Sequence, residues 1–316
     1  MRMLSTPLQP LRATLFHPKH STWTPPCSRT QTPQWTRFFH ASSSCRALAL
    51  AYDLHNNGGK ATGAPILILH GLFGNKKNHR SISKALSRDL HRPIYAVDLR
   101  NHGESAHDKT HNYTVLAEDT EAFIEQHGLK HVTLIGHSMG AKTVMTMALR
   151  NPGRYASMIA VDNAPVDAAL TSDFPKYVEG MRRVEEGRVM SHKEADEILE
   201  PYAKELAVRQ FIMTNLVRPS PSEPLRFRIP VRTLTYALDD MADFPFTNPD
   251  EHTFTKPSLF IRGTRSHYIT DETLPIIGRF FPRFQLTDIE AGHWVISENP
   301  VDFRKAVVEF LEEQEE

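Results

Sequence analysis

From about residue 48 onward, short apolar runs alternate with segments whose apolar residues recur every three or four positions. "PILILHG" (65–71) is apolar on both faces, the pattern of a strand buried in a parallel sheet. "SISKALSRDL" follows with helical spacing. "PIYAVDL" (93–99) then predicts a strand, and "VLAEDTEAFIEQHGL" a helix stopped at Gly128. "HVTLIGH" predicts a third strand, and Met139 to Arg150 a third helix with Pro152 just past its end. "YASMIAVDNAPV" (155–166) predicts a fourth strand. Alternation at this spacing predicts an α/β fold with a mostly parallel central sheet flanked by helices.

The rhythm breaks after residue 166. Residues 167–254 hold helical runs punctuated by Pro201, Pro219, Pro221, Pro224 and Pro230, and no strand pattern. They are expected to form a helical insertion. Alternation resumes with "PSLFIRG" (257–263), "ETLPIIGRFF", "FQLTDIEAGH" (284–293) and "PVDFRKAVVEFLEE". The expected core is therefore residues 47–166 with 255–316. No apolar run approaches the length of a membrane span.

Residues 1–46 differ in kind. The first 52 residues contain no Asp or Glu and carry Arg2, Arg12, Lys19, Arg29, Arg37 and Arg46 among many Ser and Thr. That composition is the signature of a mitochondrial transit peptide, disordered before import. Arg37, Phe39 and Ser42 resemble a two-step matrix-processing site, which places the mature start near Ala47. The intact chain has 37 basic and 37 acidic side chains; without the leader 31 basic remain, a net charge of −6. A chain of that sign has no electrostatic reason to bind nucleic acid. Cys27 and Cys45, the only cysteines, lie in the leader, so the mature chain is expected to lack disulfides and thiolate chemistry.

Gly136-His137-Ser138-Met139-Gly140 fits G-x-S-x-G between a predicted strand and a predicted helix. This is the context of a nucleophile elbow, and a Cβ at either glycine would clash in so tight a turn. A serine hydroxyl needs a base. In this architecture the partners follow in the order Ser, acid, His. His293, in "EAGHWVISENP", has the expected late position after the last strand. The acid has two candidates. Asp162 ends the strand beside the nucleophile strand, and Asp271 follows "PSLFIRG"; Asp162 is favoured, because a lone polar group at the end of an apolar strand needs a partner. Asp271 is expected to cap a helix. Ser266 stands three residues after Gly263, where an Asp is common. The oxyanion site needs two backbone N–H groups. Met139 and Leu72 are the expected donors, with Phe73 packed over the site.

Other features are expected to be structural. Asp98 and Arg100 in "DLRNHGES" (98–105) are read as scaffold that holds their loop by a charge-assisted hydrogen bond. His102, His107 and His111 are expected to be solvated in a polar loop rather than to bind metal. No metal and no cofactor is expected. Phe174, Tyr177, Phe211, Met213 and Tyr236 of the insertion are candidates for an acyl pocket or for the insertion's own core.

"HGLFG", "DLRNHGES", "GHSMGAK", "VDNAPV", "FIRGTRS" and "AGHW", in this order, resemble the α/β-hydrolase superfamily. The resemblance is narrower still to the branch of abhydrolase domain-containing 11 esterases, their bacterial relatives and a group of alcohol acetyltransferases. It runs from about residue 48 to the C-terminus. It implies a cap formed by the insertion, Ser138 as nucleophile, His293 as base and Asp162 as acid. It also implies a mitochondrial matrix location and a small-molecule ester or thioester substrate. The expected activity is serine hydrolysis, with acyl transfer from acetyl-CoA to an alcohol as the alternative and a non-catalytic partner protein as the third reading.

Overall fold

The computed structural model describes residues 47–167 and 173–314. The expected leader, with Cys27 and Cys45, lies outside the described residues. The chain begins with β1 (Tyr52–His55), β2 (Ile66–Leu69), α1 (Arg80–Asp89), β3 (Ile94–Val97) and α2 (Tyr113–Gln126). It continues with β4 (Val132–His137), α3 (Met139–Arg150) and β5 (Tyr155–Val161). Next come α4 (Phe174–Glu186), α5 (His192–Leu199), α6 (Leu206–Met213), β6 (Leu216–Val217), β7 (Arg226–Phe227), α7 (Val231–Tyr236) and α8 (Leu238–Ala242). It closes with β8 (Ser258–Gly263), α9 (Leu274–Phe280), β9 (Phe284–Ile289), α10 (Val295–Glu298) and α11 (Pro300–Glu312).

Seven strands form one sheet in the order β1-β3-β2-β4-β5-β8-β9. All pairs are parallel except β1 with β3, which starts at Tyr52 opposite Val97. This is the α/β-hydrolase fold. Successive residues of a strand face opposite sides. Leu67, Leu69, Leu134, Met158 and Phe260 therefore join one core with α2 and α3. Ile66, Ile68, Ile135, Ile159 and Ile261 join the other with α1 and α11. Both faces are covered, which is why β2 and β4 carry no polar alternation and are buried throughout.

The segment between β5 and β8 differs from expectation in one respect. It is mostly helical, but β6 and β7 pair antiparallel through Leu216 with Phe227 and Val217 with Arg226. Two-residue strands are too short to leave a period. The apolar residues Phe174, Val178, Met181, Leu199, Ile212, Leu234 and Phe244 of this segment belong to the same core cluster as α2 and α3. Polar ties add to that contact. The buried Lys142 Nζ of α3 donates to the carbonyls of Ala242 (2.6 Å) and Asp243 (2.9 Å). Tyr113 Oη of α2 donates to the Met241 carbonyl at 2.9 Å.

One reading of the loop after β3 is corrected. His102 and His111 are buried, and only His107 is exposed. His102 Nδ1–H donates to the Arg100 carbonyl (2.9 Å), and Nε2 accepts the Phe73 N–H (3.1 Å). The ring is structural, since it ties this loop to the one after β2. Asp98 and Arg100 do hold the loop by charge-assisted hydrogen bonds, Asp98 Oδ2 accepting the Glu104 N–H at 2.8 Å and Arg100 Nη1 donating to the Thr110 carbonyl at 3.0 Å. Asp98 accepts from Lys76 Nζ at 2.9 Å, and Arg100 forms a buried pair with Asp119 at 2.6 Å.

Candidate active site

The β4–α3 junction forces its residues into a narrow conformational choice. Ser138 has φ 54° and ψ −112°, outside both helix and strand geometry. A Cβ on Gly136 would stand 2.1 Å from the Gly140 carbonyl oxygen, and one on Gly140 would stand 2.4 Å from the Leu69 oxygen. Only glycine fits either place. The turn is pinned by the Ser138 N–H donating to the Val161 carbonyl at 2.9 Å. The Ser138 side chain is left at the carboxyl end of the sheet, 5% exposed.

His293 comes to this point from the loop between β9 and α10. Its Nε2 lies 2.9 Å from Ser138 Oγ and its Nδ1 lies 2.6 Å from Asp162 Oδ2. The carboxylate must accept, so Nδ1 carries the proton and Nε2 is free to accept the serine proton. Asp162 follows β5 with φ 53° and is fully buried. Its Oδ1 accepts the Gly263 N–H at 3.1 Å, and its Oδ2 accepts the Ser266 hydroxyl as well as His293. Both oxygens of this buried carboxylate thus accept hydrogen bonds, three in all. Asp271 is elsewhere. It begins a short 3₁₀ turn, exposed, and accepts from Arg262 Nη1 at 2.7 Å.

The two expected oxyanion donors are placed alike. Met139 is the first residue of α3, where the N–H has no partner within its own helix. Leu72 sits in a turn closed by the Gly74 N–H on the Gly71 carbonyl at 2.9 Å. A Cβ on Gly71 would stand 3.2 Å from Ser138 Cβ, so this loop lies directly against the serine. Among the described residues neither the Leu72 nor the Met139 N–H donates to a protein acceptor. The alternatives on either side are occupied, Phe73 N–H by His102 and Ser138 N–H by Val161. Phe73 itself is buried against Phe174, with ring centroids 5.5 Å apart.

Four further residues complete the site, and three of them have no distinctive place in the sequence pattern. Ser266 occupies the position where an acid was sought and donates to the acid instead. Tyr268 stacks on the His293 ring with centroids 4.0 Å apart and planes at 24°. His137 Nε2–H donates to the His293 carbonyl at 2.7 Å. Glu298 accepts the N–H groups of Gly292 (2.8 Å) and Trp294 (3.2 Å). Of these only Ser266 carried a signal, its offset from Gly263.

A cavity of about 840 Å³ opens beside His293, walled by Gly71, His137 and Trp294 on one side and by Tyr177, Val208 and Phe211 on the other. Phe211 packs on Trp294 with centroids 4.5 Å apart. Of the other aromatic candidates, Phe174 is core and Tyr236 is 73% exposed. His137 is held neutral, its pKa pushed down to about 4 by burial and then by the adjacent His293. Burial likewise lowers the pKa of His70, whose Nδ1–H donates to the Gly71 carbonyl at 2.8 Å.

Comparison with known proteins places this geometry among relatives. A model of the alpha/beta hydrolase fold matches residues 64–300. The chain is 40% identical over 291 residues to a probable alcohol acetyltransferase of Saccharomyces cerevisiae, covering 85% of each chain. It is 36% identical over 303 residues to the sn-1-specific diacylglycerol lipase ABHD11 of Xenopus laevis, covering 94% of this chain and 93% of that one. Among solved structures, a marine microorganism esterase aligns with a TM-score of 0.78 at 30% identity, covering 84% of this chain and 100% of its own.

Proposed function

The chain belongs to the α/β-hydrolase family, and on that premise we propose that it is a serine hydrolase that cleaves a carboxylic ester or thioester through an acyl-enzyme on Ser138. The observation that carries this reading is the unbroken chain of hydrogen bonds from Ser138 Oγ through His293 to Asp162. Ser138 Oγ attacks the acyl carbonyl as His293 Nε2 takes its proton. Asp162 holds the Nδ1–H tautomer and stabilises the imidazolium. The N–H groups of Leu72 and Met139 receive the negative charge on the carbonyl oxygen. His293 then returns the proton to the departing alcohol or thiol. Water, activated by the same imidazole, releases the acid and restores the serine.

In this proposal residues 167–254 act as a cap, because Tyr177, Val208 and Phe211 supply one wall of the cavity. A space of about 840 Å³ suits a small-molecule substrate. Labelling with a fluorophosphonate probe tests the reading. Wild-type protein should be labelled and Ser138→Ala should not; equal labelling of the two rejects it.

A second reading is favoured by the similarity to the yeast acetyltransferase. The same acyl-enzyme is resolved by an alcohol instead of water. Supplying acetyl-CoA with and without ethanol, and measuring ethyl acetate against acetate, distinguishes the two. The acid-free, Arg-rich start supports mitochondrial residence as part of the proposal. A fluorescent protein fused behind residues 1–46 should enter the mitochondrion.

A further inference from the structure

His293 lies on a loop, and a loop must be held if its side chain is to act at a fixed point. Three consecutive residues of this loop are fastened from outside it. The Glu298 carboxylate reaches back from α10 and uses one oxygen for each neighbour of the histidine. Oε2 accepts the Gly292 N–H at 2.8 Å and Oε1 accepts the Trp294 N–H at 3.2 Å. From the opposite side His137, the residue just before Ser138, donates Nε2–H to the carbonyl of His293 itself at 2.7 Å. The two N–H groups and the carbonyl between them flank the imidazole's own Cα on both sides, and each is engaged.

We propose that Glu298 and His137 form a clamp that fixes the His293 backbone, and through it the imidazole, at the serine. Both are positioning residues; neither touches the reacting atoms. The proposal rests on the serine-hydrolase reading above. The neutral state of His137 fits this role, because its one ring proton is then committed to the His293 carbonyl. The clamp also couples base to nucleophile. His137 is part of the elbow, so one rigid strand end sets Oγ of Ser138 and the backbone of His293 together. Arg265 Nη2 also donates to Glu298 Oε2 at 3.1 Å, which helps to hold the carboxylate in place beneath the loop.

The chemistry of the clamp dictates the test. A glutamine has one oxygen where Glu298 has two, so Glu298→Gln must lose one of the two backbone bonds while its size is kept. His137→Phe keeps a ring and removes the donor. Both variants are measured with p-nitrophenyl acetate alongside wild type and Ser138→Ala, with melting temperature and fluorophosphonate labelling rate recorded for each. Displacing a catalytic group by about 1 Å costs up to roughly 100-fold. The expected result is a kcat lowered about 10- to 100-fold in each variant at unchanged KM. The labelling rate of the folded protein should fall in step. Wild-type kcat in both variants overturns the clamp, whatever their melting temperatures, and so does a rise in KM alone, which would make them cavity wall only. Turnover that survives in Ser138→Ala removes the hydrolase reading and the clamp with it. An inactive Ser138→Ala beside fully active Glu298→Gln and His137→Phe removes the clamp alone.

Discussion

Ser138 Oγ and His293 Nε2 are 2.9 Å apart although 155 positions of chain separate them. Each residue is held by its own local turn, and neither turn alone sets the distance between them. Ser138 is set by the turn from β4 into α3, His293 by the loop that follows β9, and the sheet between them fixes both ends. The distance is that of a hydrogen bond already formed, so attack on a carbonyl needs little further movement of the protein.

The carboxylate at the other end of this chain is tested by amide substitution. Asp162→Asn removes the acceptor that selects the Nδ1–H tautomer of His293. It should lower kcat on the order of 10³- to 10⁴-fold while the protein stays folded. Asp271→Asn should leave kcat unchanged, since among the described residues the Asp271 carboxylate pairs only with Arg262, at an exposed site. Steady-state kinetics with a chromogenic ester measures both, and the reverse pattern would assign the acid to Asp271.

Ser266 donates to the same buried carboxylate oxygen that accepts from His293. Hydrogen bonds to an ionised group contribute about 1.5–3 kcal/mol. Ser266→Ala should therefore lower kcat by roughly tenfold or more. Ser266→Thr, which keeps the hydroxyl, should recover most of it. Equal activity in all three proteins would show that the bond has no part in orienting Asp162.

Lys142 is the polar tie between α3 and the end of α8. Lys142→Met keeps the apolar stem and leaves the Ala242 and Asp243 carbonyls without their donor. These carbonyls lie in half-buried and exposed residues that water can reach, so the loss is that of two hydrogen bonds at ~0.5–1.5 kcal/mol each, about 1–3 kcal/mol together. Urea denaturation should show a loss in that range. Hydrogen exchange should show faster exchange in residues 231–246 before the rest of the chain. A uniform rise across the molecule would mean that Lys142 has no special hold on this segment.

Buried neutral histidines set the acid limit of stability. Burial lowers the pKa of His79 and His111 from 6.5 to about 3, and that of His137 to about 4. His70 and His102 shift in the same direction for the same reason. The unfolded chain then binds protons below pH 6.5 that the folded chain refuses. Stability is full above 6.5 and falls as pH drops from there toward 3, by up to ~1.4 kcal/mol per pH unit for each histidine. His79 is the cleanest probe, since both its ring nitrogens are buried without a protein partner among the described residues. Denaturation at pH 7 and pH 5 should show His79→Leu losing less stability than wild type, by up to ~2 kcal/mol. An identical loss in both proteins would show that His79 takes up no proton on unfolding.

Much of this fold is written in local pattern. Five of the seven sheet strands, β2, β3, β4, β5 and β8, are short apolar runs, as the covered parallel sheet demands, and the edge strand β9 still keeps Phe284 and Leu286 at alternate positions. The exception, β1, alternates exposed and half-buried residues at an edge, and four residues leave little period to detect. Ser138 was legible because the elbow requires glycine on both sides, and His293 because the order of the partners restricts where it can lie. Asp162 was legible as a polar residue stranded at the end of an apolar strand. Tyr268, His137 and Glu298 were not, because their parts depend on which loops meet across the sheet. A tyrosine or glutamate at a loop end has many ordinary uses. The two buried histidines after β3 were misjudged for a related reason, since a polar loop reads as solvated until its partners are known.

Asp162 and Ser266 extend from adjacent strands, β5 and β8, to meet beneath one nitrogen of one imidazole. The sheet therefore offers two anchorages for a single negative charge, and this chain occupies the inner one and leaves a hydroxyl in the outer. Exchanging the two residue types would carry the charge across one strand spacing while Ser138 and His293 stay where they are.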